Sequence, residues 1–261
     1  MNVGSSDAKI NRAQEQLNAL ASEFRAVVDD KPYRLSEQFN ARPTDKTRGE
    51  YQYIVDFVSD IDDRWNVIIG EILHDLRSAL DYLAWGAANR PWRKTQFPIF
   101  TTETQWAESA GPMIRTIPDK YLTVMKEAQP YQNLTLGKDP AEHFLAILSY
   151  LSNRDKHRLL HTTLFTLDEA APSFAAARDI SAIHSVTINF GAIEPGAIFV
   201  ELDITTDGPE PEMNMQGQAT LDVAFCDTSA RGKIVNGESV GRVLEAIGRY
   251  VNKVVRRFET I

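Results

Sequence analysis

Apolar and polar positions change period several times along this chain, and each change marks a predicted element. Ile10, Leu17, Leu20, Phe24 and Val27 or Val28 recur at helical spacing, with Ser6 or Asp7 placed to cap and Asp29-Asp30-Lys31-Pro32 to stop the helix. Tyr51, Tyr53, Val55 and Phe57 then alternate with Gln52, Ile54, Asp56 and Val58, which predicts a strand paired with one near 33–39 across a polar turn at 42–49. A long helix follows over 64–89, its core face made of Ile69, Ile72, Leu73, Leu76, Leu80, Leu83 and Ala84 and its end set by Arg90-Pro91. Glu71, His74, Ser78, Asp81 and Tyr82 lie nearly opposite that face.

Residues 91–140 are irregular, with Phe97-Pro98-Ile99-Phe100 reading as an extended plug and short helices at 104–109 and 119–129. Asp139-Pro140 opens a helix over 141–165. Beyond Pro172, β-branched and aromatic residues at 183–190, 197–204 and 218–225 predict an antiparallel meander, interrupted by a loop at 207–212. Val240, Val243, Leu244, Ile247, Val251, Val254 and Val255 define a last helix over 237–258. No βαβ alternation is present. The expectation is therefore one α+β domain over 1–261, in which about four main helices (within 1–170 and 237–261) bundle and an antiparallel sheet (180–230, with a hairpin at 33–58) packs against them.

The 141–165 segment carries the candidate chemistry. Asn153-Arg154-Asp155-Lys156-His157-Arg158 places six polar or charged residues inside an otherwise apolar helical pattern, a costly arrangement unless the segment meets partners or a site. Arg154, His157, Arg158 and His161 share one stripe of this helix at 100° per residue. The 64–89 helix supplies complementary groups. The expected seam pairs Asp75 or Asp81 with Arg158 or Lys156 and sets His74 near His157.

Composition narrows the chemistry. The 261 residues are 43% hydrophobic and 25% charged, the proportions of a soluble globular protein, and the net charge of −8 argues against a protein that coats nucleic acid. A single cysteine, Cys226, excludes an internal disulfide and a multi-cysteine zinc site. The N-terminal stretch has no basic and apolar signal pattern, and no apolar run approaches the roughly 20 residues a bilayer span needs, so a cytoplasmic location and no membrane partner are expected. Glu71-Ile72-Leu73-His74 is half of a diiron pattern whose second copy is missing, and Arg154 and Arg158 would repel a cation, so no metal or other cofactor is assigned. Neither a nucleophile elbow nor a phosphate-binding glycine loop occurs.

What remains is the arginine and histidine face. Guanidinium groups fit phosphate and imidazole moves protons near neutral pH, so Arg154 with His161, or with His157 as the alternative, could cleave RNA without metal. Arg158, Asn153 and Lys156 would then contact substrate, and Asp155, His74, Asp75, Ser78 and Asp81 would support them. The same residues could equally form a buried polar network in a non-enzymatic structural or protein-binding module.

The segments Leu76-Arg77-Ser78-Ala79-Leu80-Asp81-Tyr82-Leu83-Ala84-Trp85, Phe97-Pro98-Ile99-Phe100 and Ser152-Asn153-Arg154-Asp155-Lys156-His157-Arg158 together resemble a widespread family of uncharacterised bacterial and phage proteins. The helical part more distantly resembles the HEPN superfamily, four-helix bundles that include metal-independent endoribonucleases. Their motif is an Arg, a polar residue and, after a short spacer, a His, matched here by Arg154-Asp155 with His161 at the longest spacing, though the commoner Arg-Asn start is absent. That resemblance implies an RNA substrate and a homodimer whose cleft forms between two copies. The competing class implies a protein partner.

Overall fold

The structure is a computed structural model that describes residues 3–30, 32–58, 60–157, 160–167, 173–189, 191–216 and 220–261. In chain order its elements are α1 (Gly4–Asp29), β1 (Tyr33–Ala41), β2 (Arg48–Val58), α2 (Arg64–Ala87), α3 (Glu103–Ser109), α4 (Gly111–Ile114) and α5 (Asp119–Glu127). There follow α6 (Phe144–His157), β3 (Thr162–Leu167), β4 (Ser173–Arg178), β5 (Ile180–Ile188), β6 (Ile198–Thr206), β7 (Glu212–Gln216), β8 (Thr220–Phe225) and α7 (Val240–Glu259). The fold is α+β. The chain divides into two compact units, one formed by residues 1–22, 62–161 and 225–261 and the other by 23–61 and 162–224.

The first unit is helical. Apolar residues of α2 at three- and four-residue spacing, Ile69, Ile72, Leu73, Leu76, Leu80 and Leu83, are all buried, as the periodicity predicts. They pack against α6 through Leu145, Leu148 and Leu151 and against α7 through Leu244, Ile247, Val251 and Val255. Ser239 caps α7 by accepting a hydrogen bond from the Arg242 backbone N–H at 3.2 Å. The Phe97 plug is real and is pinned at both ends. Phe97, fully buried, donates its N–H to Asp81 and receives the Arg77 guanidinium on its carbonyl, while the buried Gln129 amide bonds the Pro98 carbonyl and the Phe100 N–H.

Entry into α6 differs from the expectation. Asp139 does act as a cap, but of a single 3-10 turn, Pro140–Glu142, after which His143 is extended and α6 begins at Phe144. His143 explains the break. Its Nδ1 accepts the Leu145 N–H at 3.2 Å, so the ring proton sits on Nε2, which faces the Tyr250 hydroxyl at 3.0 Å; that hydroxyl in turn donates to the Ala128 carbonyl. Burial lowers the His143 pKa to about 4.

The other end of α6 also differs. Described helix stops at His157, residues 160–161 are irregular, and 162–167 form β3 in place of the expected last helical turns. Thr162-Thr163-Leu164-Phe165-Thr166 is β-branched and aromatic, so strand pairing with β8 overrides an apolar spacing that suits either state.

In the second unit, β1, β2, β6 and β5 form an antiparallel sheet in the order β1-β2-β6-β5. The predicted 33–58 hairpin is present, and Tyr51 opposite Leu202 and Tyr53 opposite Val200 set the register that joins it to β6. All four of those side chains are buried. The expected three-strand meander is not formed. Its first two strands pair as β5 and β6, but β8 leaves them for β3, and β4 pairs with β7. Hydrophobic alternation identifies strands but does not choose their partners.

Because the folded state holds His143 neutral, its contribution to stability is complete above its ordinary value of 6.5 and is lost as pH falls from there toward about 4. Urea unfolding across that range should show the parent losing more stability than His143→Gln, which cannot titrate; parallel curves would contradict the assignment.

Candidate functional site

The site is built on the last two turns of α6. Tyr150, Asn153, Arg154 and His157 recur at three- and four-residue spacing and all line one open cavity of about 1210 Å³. This is the expected basic stripe moved one turn toward the helix N-terminus. His161 is not part of it: it is exposed beyond the helix, and its carbonyl accepts the Cys226 N–H at 2.8 Å. Arg158 lies outside the described residues.

Asp227, in the turn after β8, organises this face. It is buried, and its carboxylate pairs with Arg154 Nε at 3.0 Å and accepts a hydrogen bond from the Tyr150 hydroxyl. Its other oxygen takes the Ser229 N–H at 3.1 Å, and its own N–H donates to the Asn236 side chain at 2.8 Å. Gly232 is required beside it, since a Cβ there would collide with the Asp227 carboxyl. Burial pushes the Asp227 pKa up, but the Tyr150 and Ser229 hydrogen bonds and the Arg154 charge outweigh it, so the net shift is downward. Tyr150 is shifted up, by burial and then by Asp227.

The rest of the cavity wall is mixed in sign. Arg231 and Lys233 join Arg154 and His157 as cations or potential cations, against Asp139, Glu142 and Glu238. Asp139 and Glu142 precede α6 while Arg154, Lys156 and His157 occupy its last turns, the polarity that also complements a helix dipole.

The expected seam between α2 and α6 is not formed through Lys156, and its Arg158 alternative lies outside the described residues. Asp75 is buried, and among the described residues its partners are Lys9 Nζ at 2.6 Å and Arg12 Nε at 3.3 Å on α1. Asp81 is held by Arg77 at 2.9 Å, one turn away, and by the plug. Lys156 pairs with neither of these carboxylates. The group of α6 that does meet α2 is Asp155, which sits against Gly70, where a Cβ would strike its carboxylate. Burial raises the Asp155 pKa, opposed by the charges of His74 and Lys156. His74 and His157 are not brought together. His157 lines the large cavity, while His74 bonds Ser78 at 3.3 Å and lines two smaller ones. The physical reason is that α1 and the plug, both distant in sequence, reach the α2 carboxylates first.

Comparison of the chain with protein-family models, with curated proteins and with solved structures finds no match. Among the described residues no helix is long and apolar enough to cross a membrane, and no group of three or more His, Cys, Asp or Glu could hold a metal. Asp227, Arg231, Lys233 and Tyr150 were not candidates from sequence. Asp227-Thr228-Ser229 is a recognisable turn signal, but nothing local tells which helix its carboxylate will meet.

Asp227→Asn leaves the part-buried Arg154 guanidinium without its partner, so it should destabilise by about 1–3 kcal/mol near neutral pH. Because the folded Asp227 pKa is lowered, the difference should be full above the ordinary value of 3.8 and vanish as pH falls below it. Chemical denaturation of parent and variant at neutral and acid pH measures both; an unchanged midpoint at neutral pH would refute the linkage.

Proposed function

We propose that the cavity along α6 binds RNA and that the protein is a metal-independent endoribonuclease of HEPN-like type, with His157 rather than His161 as its proton-transfer group. The observation that carries this reading is that Arg154, His157, Arg231 and Lys233 line one open cavity in a chain whose net charge is −8. Arg154 would meet a phosphate with its terminal nitrogens, since Nε is committed to Asp227. His157 would take the proton of a 2′-hydroxyl; the 2′-oxygen then attacks phosphorus, the bond to the 5′-oxygen breaks, and a cyclic phosphate and a free 5′-hydroxyl result. The leaving oxygen needs a proton as well. His157 of a second copy, or water, would supply it, which favours a homodimer.

A second reading has its own support. Arg154 is already paired with Asp227 and Asp155 is seated against Gly70, so the Asn153 to His157 run also does the work of a structural network in a protein-binding module. RNA incubation in excess chelator separates the two. The parent should cleave, His157→Ala and Arg154→Ala should be slower by about a hundredfold or more, and His161→Ala should keep its rate. Arg154→Lys, which retains a charge for Asp227, guards against misreading a folding defect. Intact RNA with the parent, or a rate lost with His161→Ala and kept with His157→Ala, overturns the proposal.

A further inference from the structure

A second cavity, of about 300 Å³, opens between α2 and α6 beside the plug. It shares Ile99, Phe100, Ser149 and Asn153 with the large cavity as a common wall but is otherwise separately lined. Its titratable groups are Lys156, Arg77, His74 and Asp81. Asp81 and Arg77 cancel in charge, and both are used internally: Asp81 accepts from Arg77 and from the Phe97 N–H, and Arg77 also holds the Phe97 carbonyl at 2.6 Å. The carboxylate and the plug carbonyl are therefore spoken for. Also facing the cavity are the Lys156 ammonium, the Asn153 and Gln96 amides and the Ser78 hydroxyl, which bonds His74.

Two further features mark it. Lys156 makes none of the ion pairs seen among the described residues, and its charge reaches Asp155, its neighbour in sequence, only at longer range. Ser152, which also lines the cavity, is buried to 6% exposure with its Oγ lacking a hydrogen-bond partner. Buried hydroxyls are nearly always paired. A cavity that holds an exposed ammonium, two side-chain amides and an unpaired buried hydroxyl suits an oxyanion, and its size is at the lower end for small-ligand sites, which are about 300–1,000 Å³.

We propose that this cavity is a phosphate-binding site, with Lys156 as the charged anchor and Asn153 and Ser78 as neutral donors. The phosphate could belong to a free mononucleotide or, through the common wall at Asn153, to a nucleic-acid strand lying in the large cavity. The site does not depend on any cleavage activity, and its test reads binding alone.

Isothermal titration calorimetry with inorganic phosphate and with adenosine monophosphate should show binding to the parent. Lys156→Gln, a change at an exposed residue that leaves folding intact by circular dichroism, should weaken both by about tenfold or more, the loss expected for one charge-assisted contact. Lys46→Gln, an exposed change in the turn between β1 and β2 that lines neither cavity, should leave both unchanged. A short deoxyoligonucleotide then separates the sources: weakening by Lys156→Gln and by Lys233→Gln alike means consecutive phosphates of one strand occupy the two cavities, and weakening by Lys233→Gln alone means the smaller site takes free phosphorylated ligands. Absence of binding at millimolar phosphate and nucleotide, or Lys156→Gln binding as the parent does, overturns the proposal.

Discussion

Asp227 is the constraint on which the α6 face depends. One buried carboxylate holds Arg154 and Tyr150 of α6 and the Ser229 backbone of its own turn, and its backbone N–H is held by Asn236. A buried carboxylate is tolerated only with such a set of donors. The consequence is geometric. The chain must return from β8 to this point for the last turns of α6 to present Arg154 at a defined angle, and Gly232 must lack a side chain for the turn to close.

With Arg154 fixed, the other polar positions of α6 sort by angle. Tyr150, Asn153 and His157 go with Arg154 to the large cavity, Asp155 goes to Gly70 of α2, and Lys156 goes to the smaller cavity. A run of charges that is expensive as one block is made acceptable by dividing it among three surroundings. At the helix start, His143 is the counterpart of Asp227. A neutral imidazole there satisfies the Leu145 N–H and ties α6 to Tyr250 of α7, so both ends of the helix are set by single residues with partners far along the chain.

The carboxylates of α2 show the same competition. Asp75 and Asp81 both need cations or N–H donors, and both find them outside α6, on α1 and in the Arg77 and Phe97 pairings. Lys156 therefore pairs with neither α2 carboxylate and stands on the wall of the smaller cavity. The acidity of the whole chain says nothing about such local balances, because charges at its surface are screened within about 8–10 Å at moderate salt.

Much of the architecture was legible in the sequence because it depends on period. The buried faces of α2 and α7, the 33–58 hairpin and the extended Phe97 plug all follow from spacing and from Pro and Gly punctuation, which act within a few residues. The candidate segment was legible too, since a polar run inside an apolar helix is anomalous wherever it occurs. Its partners were not. Where α6 ends depended on β3 finding β8, which moved His161 off the stripe; which carboxylate holds Arg154 depended on a turn more than seventy residues later; and which strands pair depended on edges that alternation does not label. Local pattern states what each segment must bury or satisfy, and the tertiary structure alone decides with whom, because burial and hydrogen bonding are met by whichever group the whole chain brings within about 3 Å.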